Sequence, residues 1–333
     1  MTRLSPIWYP TRAFLGLDHA GMTWTDLSGL RFDEPFFHQT VRRACDRATC
    51  TLPLGAEPTS GLPVVRVTPA AFIFHVSRCG STLLCNMFRS TGNGHVVAEA
   101  QAFTALLTPV GAHYKQAHLV QQTQQRHALL RQVGHALGQN PFGEKTPYYI
   151  KCTSYSAMRL DLIRSVWPMV PIIFLTRDPI EVMVSNLNRP PGWIKAWKNP
   201  SQAASVFGWH ENTGPLTQEE FLARSFGSIC QAAQKHLGGP SLVLDYHDLT
   251  HSEGWYRVLR FLGHNAPDTA THARLATVLQ TNAKSPHESQ SFSPDAQDKR
   301  NQASTLVHEA ANRWAYPPLR ALLAHHSSTA TSK

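Results

Sequence analysis

A short apolar run rich in strand formers, Ala71-Phe72-Ile73-Phe74-His75-Val76, stops abruptly at a polar turn. After the turn, Thr82-Leu83-Leu84-Cys85-Asn86-Met87-Phe88-Arg89 places apolar residues at helical spacing, with no breaker before Gly92. The same order returns later, where the strand Pro171-Ile172-Ile173-Phe174-Leu175-Thr176 leads into a helix from Ile180 to Leu187. A Gln-rich helical stretch (Lys115 to Leu137) and a strand (Tyr148 to Lys151) are expected between the two units. A helix from Glu219 to Leu237 and a strand from Ser241 to Tyr246 are expected after them. Strands that alternate with helices in this way predict an α/β fold of three layers, with a mainly parallel central sheet and helices on both faces.

Outside this alternation the texture differs. Residues 1–65 are rich in Pro, Gly and aromatics, with one helix expected around Pro35 to Ala48, and read as an N-terminal extension packed on the core. The β-rich texture begins at Val64-Val65-Arg66-Val67, so the α/β domain is set at 66–323. The closing residues 324–333 are His, Ser and Thr without periodicity, which predicts a flexible tail.

Composition narrows the partners. A net charge of +9 favours an anionic one. The basic residues form no stripe with interleaved aromatics, which argues against nucleic acid. Apolar runs are far shorter than the roughly 20 residues of a membrane span. The N-terminus runs straight into Trp8, Tyr9 and Pro10, without the apolar stretch of a secretory signal, and a cytoplasmic location is expected. The 6 cysteines form no C-x-x-C pair, and His113, His118, His127 and His135 lack i, i+4 spacing, so no metal site is expected.

The turn after the first strand is Ser77-Arg78-Cys79-Gly80-Ser81-Thr82. A loop between a strand and a helix start directs successive backbone N–H groups outward, a geometry that binds phosphate or sulfate. Gly80 lets the backbone curl close to an anion, Ser81 and Thr82 add hydroxyls, and Arg78 adds a permanent charge. An ordinary helix start capped by Ser77 or Ser81 is the alternative. The first glycine and the lysine of G-x-x-x-x-G-K-[ST] are missing, which argues against a magnesium nucleoside triphosphate. Arg177, at the end of the second strand, precedes Ser185 by eight residues, so guanidinium and hydroxyl can converge on one phosphate. A surface pairing of Arg177 with Asp178 or Glu181 is the alternative there.

These two segments resemble the sulfotransferase superfamily. Its 5′-phosphosulfate loop has a basic residue, a small residue, Gly and Ser/Thr in the order found at Arg78 to Thr82, and Arg78 stands where many members have Lys. Phe174 to Ser185 resembles the segment that binds the 3′-phosphate. Gly143 to Pro147, Val243 to Leu249 and Phe261-Leu262-Gly263 resemble segments common in bacterial members, so the likeness spans roughly Phe72 to Gly263. It implies a P-loop-type fold and transfer of a sulfuryl group from 3′-phosphoadenosine 5′-phosphosulfate, without a metal, to a small-molecule or carbohydrate acceptor. Cys79, Gly80, Ser81 and Thr82 would hold the donor with Arg78, Arg177 and Ser185. Two departures stand out. Leu83 and Leu84 follow the loop where the cytosolic enzymes have an adenine-stacking aromatic, and their Gly-rich basic segment is missing, although Phe292 to Asp295 with Lys299 and Arg300 offers a substitute.

An acceptor hydroxyl or amine must lose a proton, so a general base is expected. Glu99, after the apolar pair Val96-Val97, is the first choice and His95 the second. A structural carboxylate paired with an arginine is the plain reading of Glu99. Lys145 and Lys151 would steady the leaving phosphate or be solvated, and Trp193, Trp197 and Trp209 would line an acceptor pocket or simply pack. A P-loop phosphotransferase using a nucleoside triphosphate, and a non-catalytic phosphonucleotide-binding protein, remain as alternatives. The oligomeric state is not read.

Overall fold

Eight strands follow one another in the computed structural model, which describes residues 6–15, 20–58, 67–92, 94–109, 123–142, 146–209, 215–265, 268–280 and 296–330. They are β1 (Trp8–Leu15), β2 (Ala20–Asp26), β3 (Thr49–Pro53), β4 (Ala71–His75), β5 (His95–Ala98), β6 (Tyr148–Lys151), β7 (Ile172–Thr176) and β8 (Ser241–Asp245). The last five form one sheet in the order β5-β6-β4-β7-β8, and every neighbouring pair is parallel. β4, β6 and β7 are buried along their whole length, as expected of parallel strands covered on both faces. The α/β fold with a parallel central sheet is therefore the one observed.

Alternation along each strand sorts the two covering layers. Phe72 points at Phe103 and Trp167, with ring centroids 6.1 and 5.1 Å away, while Tyr148 donates to the Gly134 carbonyl. Those partners belong to or adjoin the helices Gln101–Leu107, Thr123–Leu137 and Leu160–Val166. Tyr149, on the opposite face, stacks on Phe88 at 4.0 Å, and Phe88 meets Trp255 edge-on at 5.0 Å, bringing in the helices Ser81–Thr91 and Ser252–Phe261.

Strand order locates the crevice. The chain leaving β4 returns at β5 on one side of the sheet, and the chain leaving β7 returns at β8 on the other. Adjacent parallel strands whose connections diverge in this way open a ligand crevice at their carboxyl ends.

The N-terminal residues are more ordered than composition suggests. β1, β2 and β3 make a separate antiparallel sheet, and the helix expected around Pro35 to Ala48 spans only Phe37–Arg43. Gln101 holds this sheet to the core, accepting from the Ala13 N–H (2.8 Å) and donating to the Ala13 carbonyl (3.1 Å). Pro10 masks β1 in the sequence. It sits at an edge strand where the register shifts between Pro10 and Arg12, a position that tolerates a missing N–H.

Residues 324–330 of the expected flexible tail fall on a helix. The helix Tyr316–Ala330 continues through Ala324, and His326 Nε2 accepts from the Val243 N–H at 3.1 Å, giving edge strand β8 a partner. Val64 to Arg66, Gly143 to Lys145, Phe292 to Asp295, His113 and His118 lie outside the described residues. Among the described residues, no helix is long and apolar enough to cross a membrane.

Candidate anion-binding site

β4 ends at His75, and the backbone then turns into an uncommon conformation. Ser77 (φ 74°) and Arg78 (φ 47°) are left-handed, as is Gly80 (φ 79°), which is the N-cap of the helix Ser81–Thr91. Left-handed non-glycine residues cost energy and collect at functional sites. Among the described non-glycine residues only Ser77, Arg78 and Glu99 adopt this conformation, and all three border this crevice. His75 supports the turn, because its Nδ1 accepts the Ser77 N–H at 3.0 Å. That leaves the ring proton on Nε2, 3.1 Å from the Cys152 carbonyl to which it donates.

No side chain caps this helix, so the capping alternative for Ser77 and Ser81 is not the arrangement found. Among the described residues, no amide from Arg78 to Leu83 donates to a backbone carbonyl, and Leu84 is the first whose N–H reaches back, to the Gly80 carbonyl at 3.0 Å. Such an array at a helix start concentrates positive potential. Gly80 is required twice over. Its φ is left-handed, and a Cβ there would lie 2.6 Å from Tyr246 Cδ2.

β7 pairs with β4 in parallel register, His75 opposite Leu175, which brings Arg177 beside the loop. Its Nη1 donates to the Arg78 carbonyl (3.3 Å), its Nε to Glu181 Oε2 (2.7 Å), and its Cζ lies 4.2 Å from the centre of the Tyr246 ring. The pairing with Glu181 is thus present but buried, with both side chains at most 6% exposed, rather than at the surface. Glu181 also accepts from Arg300 Nη2 at 2.9 Å. Ser185 shares a helix face with Glu181 and with Asn188, which donates to Gln302 at 3.1 Å. The helix Ala296–Gln302, carrying Lys299 and Arg300, is therefore brought to the face that holds Arg177 and Ser185. Asp178 caps the helix Pro179–Asn188 by accepting from the Ile180 and Glu181 amides, and fixes its start at the strand end.

Glu99 stands at the end of β5, its N–H donating to the Lys151 carbonyl (2.7 Å) and its Oε1 accepting from Lys151 Nζ (2.7 Å). Its partner is a lysine rather than an arginine, and Lys151 is buried, not solvated. His75 Nε2 lies 3.9 Å from the same oxygen. Burial lowers the Arg78 pKa, Arg189 lowers it further, and the nearby charge of Glu99 acts in the opposite sense. Base candidate and loop arginine thus border one region.

His95 is not brought there. It is the first residue of β5, at the amino edge of the sheet, where it stacks on Tyr148 at 5.7 Å and burial depresses its pKa to about 4. It helps to line a cavity of about 300 Å³ with Phe32, Arg89, Asn140 and Thr146, and no residue of the loop reaches that cavity. Trp193 and Trp209 pack on Phe207 and Phe221, and Leu83 and Leu84 are buried.

Two contributors escaped the sequence. Asn186, 2% exposed, accepts from Ser77 Oγ (3.3 Å) and Arg78 Nε (3.4 Å), tying the second segment to the loop. His75 had a visible signal, a lone polar residue at the end of an apolar strand.

No family model matches the chain, and no curated protein matches it. Solved structures that resemble it include three sulfotransferases. The sulfotransferase domain from the curacin biosynthetic pathway is 16% identical, covers 80% of this chain and 98% of its own, and has a TM-score of 0.43. The sulfotransferase from Alicyclobacillus acidocaldarius is 14% identical over 78% of this chain and 95% of its own, with a TM-score of 0.39. Mouse sulfotransferase SULT7A1 complexed with PAP is 12% identical over 75% of this chain and 84% of its own, with a TM-score of 0.40.

Proposed function

We propose that this chain is a sulfotransferase that moves a sulfuryl group from 3′-phosphoadenosine 5′-phosphosulfate onto a hydroxyl or amine. One observation carries the reading. The carboxyl ends of β4 and β7 present two arginines and a left-handed loop from which, among the described residues, no amide from Arg78 to Leu83 donates to a backbone carbonyl, and a carboxylate stands at the end of β5.

In this reading the amides of Cys79 to Thr82 hold the 5′-phosphosulfate, and Arg78 stabilises charge that develops on the group in transfer. Arg177 and Ser185 bind the 3′-phosphate, with Lys299 and Arg300 closing from the neighbouring helix. Glu99 takes the acceptor proton as the new O–S or N–S bond forms and the sulfur–oxygen bond to the phosphate breaks. The Lys151 ammonium, 2.7 Å from Glu99 Oε1, positions that carboxylate at the strand end.

Calorimetric titration tests the donor site. The protein should bind adenosine 3′,5′-bisphosphate, and Ser185→Ala and Arg177→Ala should each weaken it by about tenfold or more, the worth of a charged hydrogen bond. Affinity for adenosine 5′-monophosphate should hardly change. Equal losses for the two nucleotides would remove the 3′-phosphate assignment. Ser185→Ala keeps this test readable if Arg177→Ala, by stripping a partner from buried Glu181, fails to fold.

A further inference from the structure

Resting on the sulfotransferase reading, we infer that Phe36, His38 and Arg42 of the N-terminal unit form the acceptor wall of the site, and that the acceptor carries an anionic group beside the hydroxyl it presents to Glu99. Lys151 ties the two regions together. Its ammonium lies 2.7 Å from Glu99 Oε1 and 5.0 Å from the centre of the Phe36 ring, so Phe36 and the candidate base neighbour one ammonium. The Phe36 ring lies nearly parallel to that of His38, 5.7 Å apart at 17°. Phe36 immediately precedes the helix Phe37–Arg43, and its N–H donates to Gln39 Oε1 (3.0 Å), which anchors that helix start. His38 and Arg42, one turn apart and both exposed, share a helical face. Burial is the largest influence on the His38 pKa and lowers it, Arg42 adds to that, and the charge of Glu99 opposes both, which sets this face within electrostatic reach of the base.

The charges here are unbalanced. Lys151 is committed to Glu99, and Arg78 to Asn186 and the Arg189 carbonyl. Arg43, next in sequence, is paired with Glu34 at 3.3 Å, whereas Arg42 has no carboxylate partner among the described residues. A planar aromatic surface followed by an uncommitted guanidinium fits a ring that bears a carboxylate or similar anion. Such an acceptor lays its ring on Phe36, sets its anion on Arg42 and His38, and turns its hydroxyl toward Glu99. Its proton passes to Glu99, its oxygen forms the bond to sulfur, and adenosine 3′,5′-bisphosphate leaves with the electron pair of the broken bond.

The test uses a matched pair of probes, 4-hydroxybenzoate and 4-hydroxybenzyl alcohol, titrated into the full chain with saturating adenosine 3′,5′-bisphosphate. The benzoate should bind about tenfold or more tightly than the alcohol, the worth of one charge-assisted contact. Arg42→Gln and His38→Ala, both at exposed positions, should bring the two probes to within about twofold while bisphosphate affinity stays the same. Equal binding of the probes, binding of neither, or a preference that survives both substitutions overturns the inference while leaving the donor site standing. Failure of the unmodified chain to bind the bisphosphate removes the sulfotransferase reading, and this inference with it.

Discussion

Glu99 accepts from a lysine that has almost no access to water, since the Lys151 side chain is 2% exposed and its ammonium is 2.7 Å from the carboxylate. Removing one member of a buried pair strands the other, at a cost of about 3–5 kcal/mol. Glu99→Gln should therefore lower both turnover and melting temperature, and the two losses have different origins. Turnover should fall by about 10² to 10⁴, the usual worth of a general base, with adenosine 3′,5′-bisphosphate affinity kept. Adding Lys151→Met should restore most of the melting temperature without restoring turnover. If the double variant regains activity as well, Glu99 is structural and the proton goes elsewhere. The glutamate was readable in the sequence because it follows an apolar pair at a strand end. Its lysine partner was not, because Lys151 ends a different strand, and only the parallel pairing of β5 with β6, which sets Ala98 opposite Lys151, makes them neighbours.

At the scale of elements, β5 shows why two candidates four residues apart have different fates. The strand runs from His95 to Ala98, and at roughly 3.3 Å per residue its two ends lie about 10 Å apart. Glu99 leaves the carboxyl end and faces the loop, while His95 is buried at the amino end with its pKa held near 4 against an ordinary 6.5. The folded chain keeps this imidazole neutral, whereas the unfolded chain protonates it as pH falls below 6.5. The favourable contribution is thus fully present above pH 6.5 and is lost as pH drops toward 4, by about 3 kcal/mol. Chemical denaturation across that window should show His95→Phe losing less stability on acidification than the unaltered chain. Parallel slopes for the two proteins would mean that His95 is not the group responsible. Legibility followed burial at this scale. The strands β4, β6 and β7 were visible as continuous apolar runs, but β3 alternates between exposed and half-buried residues and β1 is interrupted by Pro10, so neither stood out.

For the whole molecule, the question is where the charge on the transferred group is neutralised. Arg78, Arg177 and the loop amides supply positive potential at the crevice, and among the described residues no group of three or more His, Cys, Asp or Glu is arranged to hold a metal. On the proposed reading, in which arginines and backbone amides neutralise the group in transfer, transfer should survive a chelator. Loss of activity with chelator and its recovery with magnesium would instead favour a nucleotide-triphosphate phosphotransferase. The amino-acid order by itself determined that strands alternate with helices, that a loop of small residues and arginine follows β4, and that Arg177 and Ser185 are eight residues apart, because periodicity and spacing are local properties. Tertiary structure alone decided which of these groups meet. It set β4 beside β7, stood Glu99 rather than His95 at the loop end of the sheet, wedged Tyr246 against Gly80, and carried Arg300 to Glu181 beside Arg177. Strand order and the direction of each crossover are settled by burial of both sheet faces at once, a condition that no single segment of the chain contains.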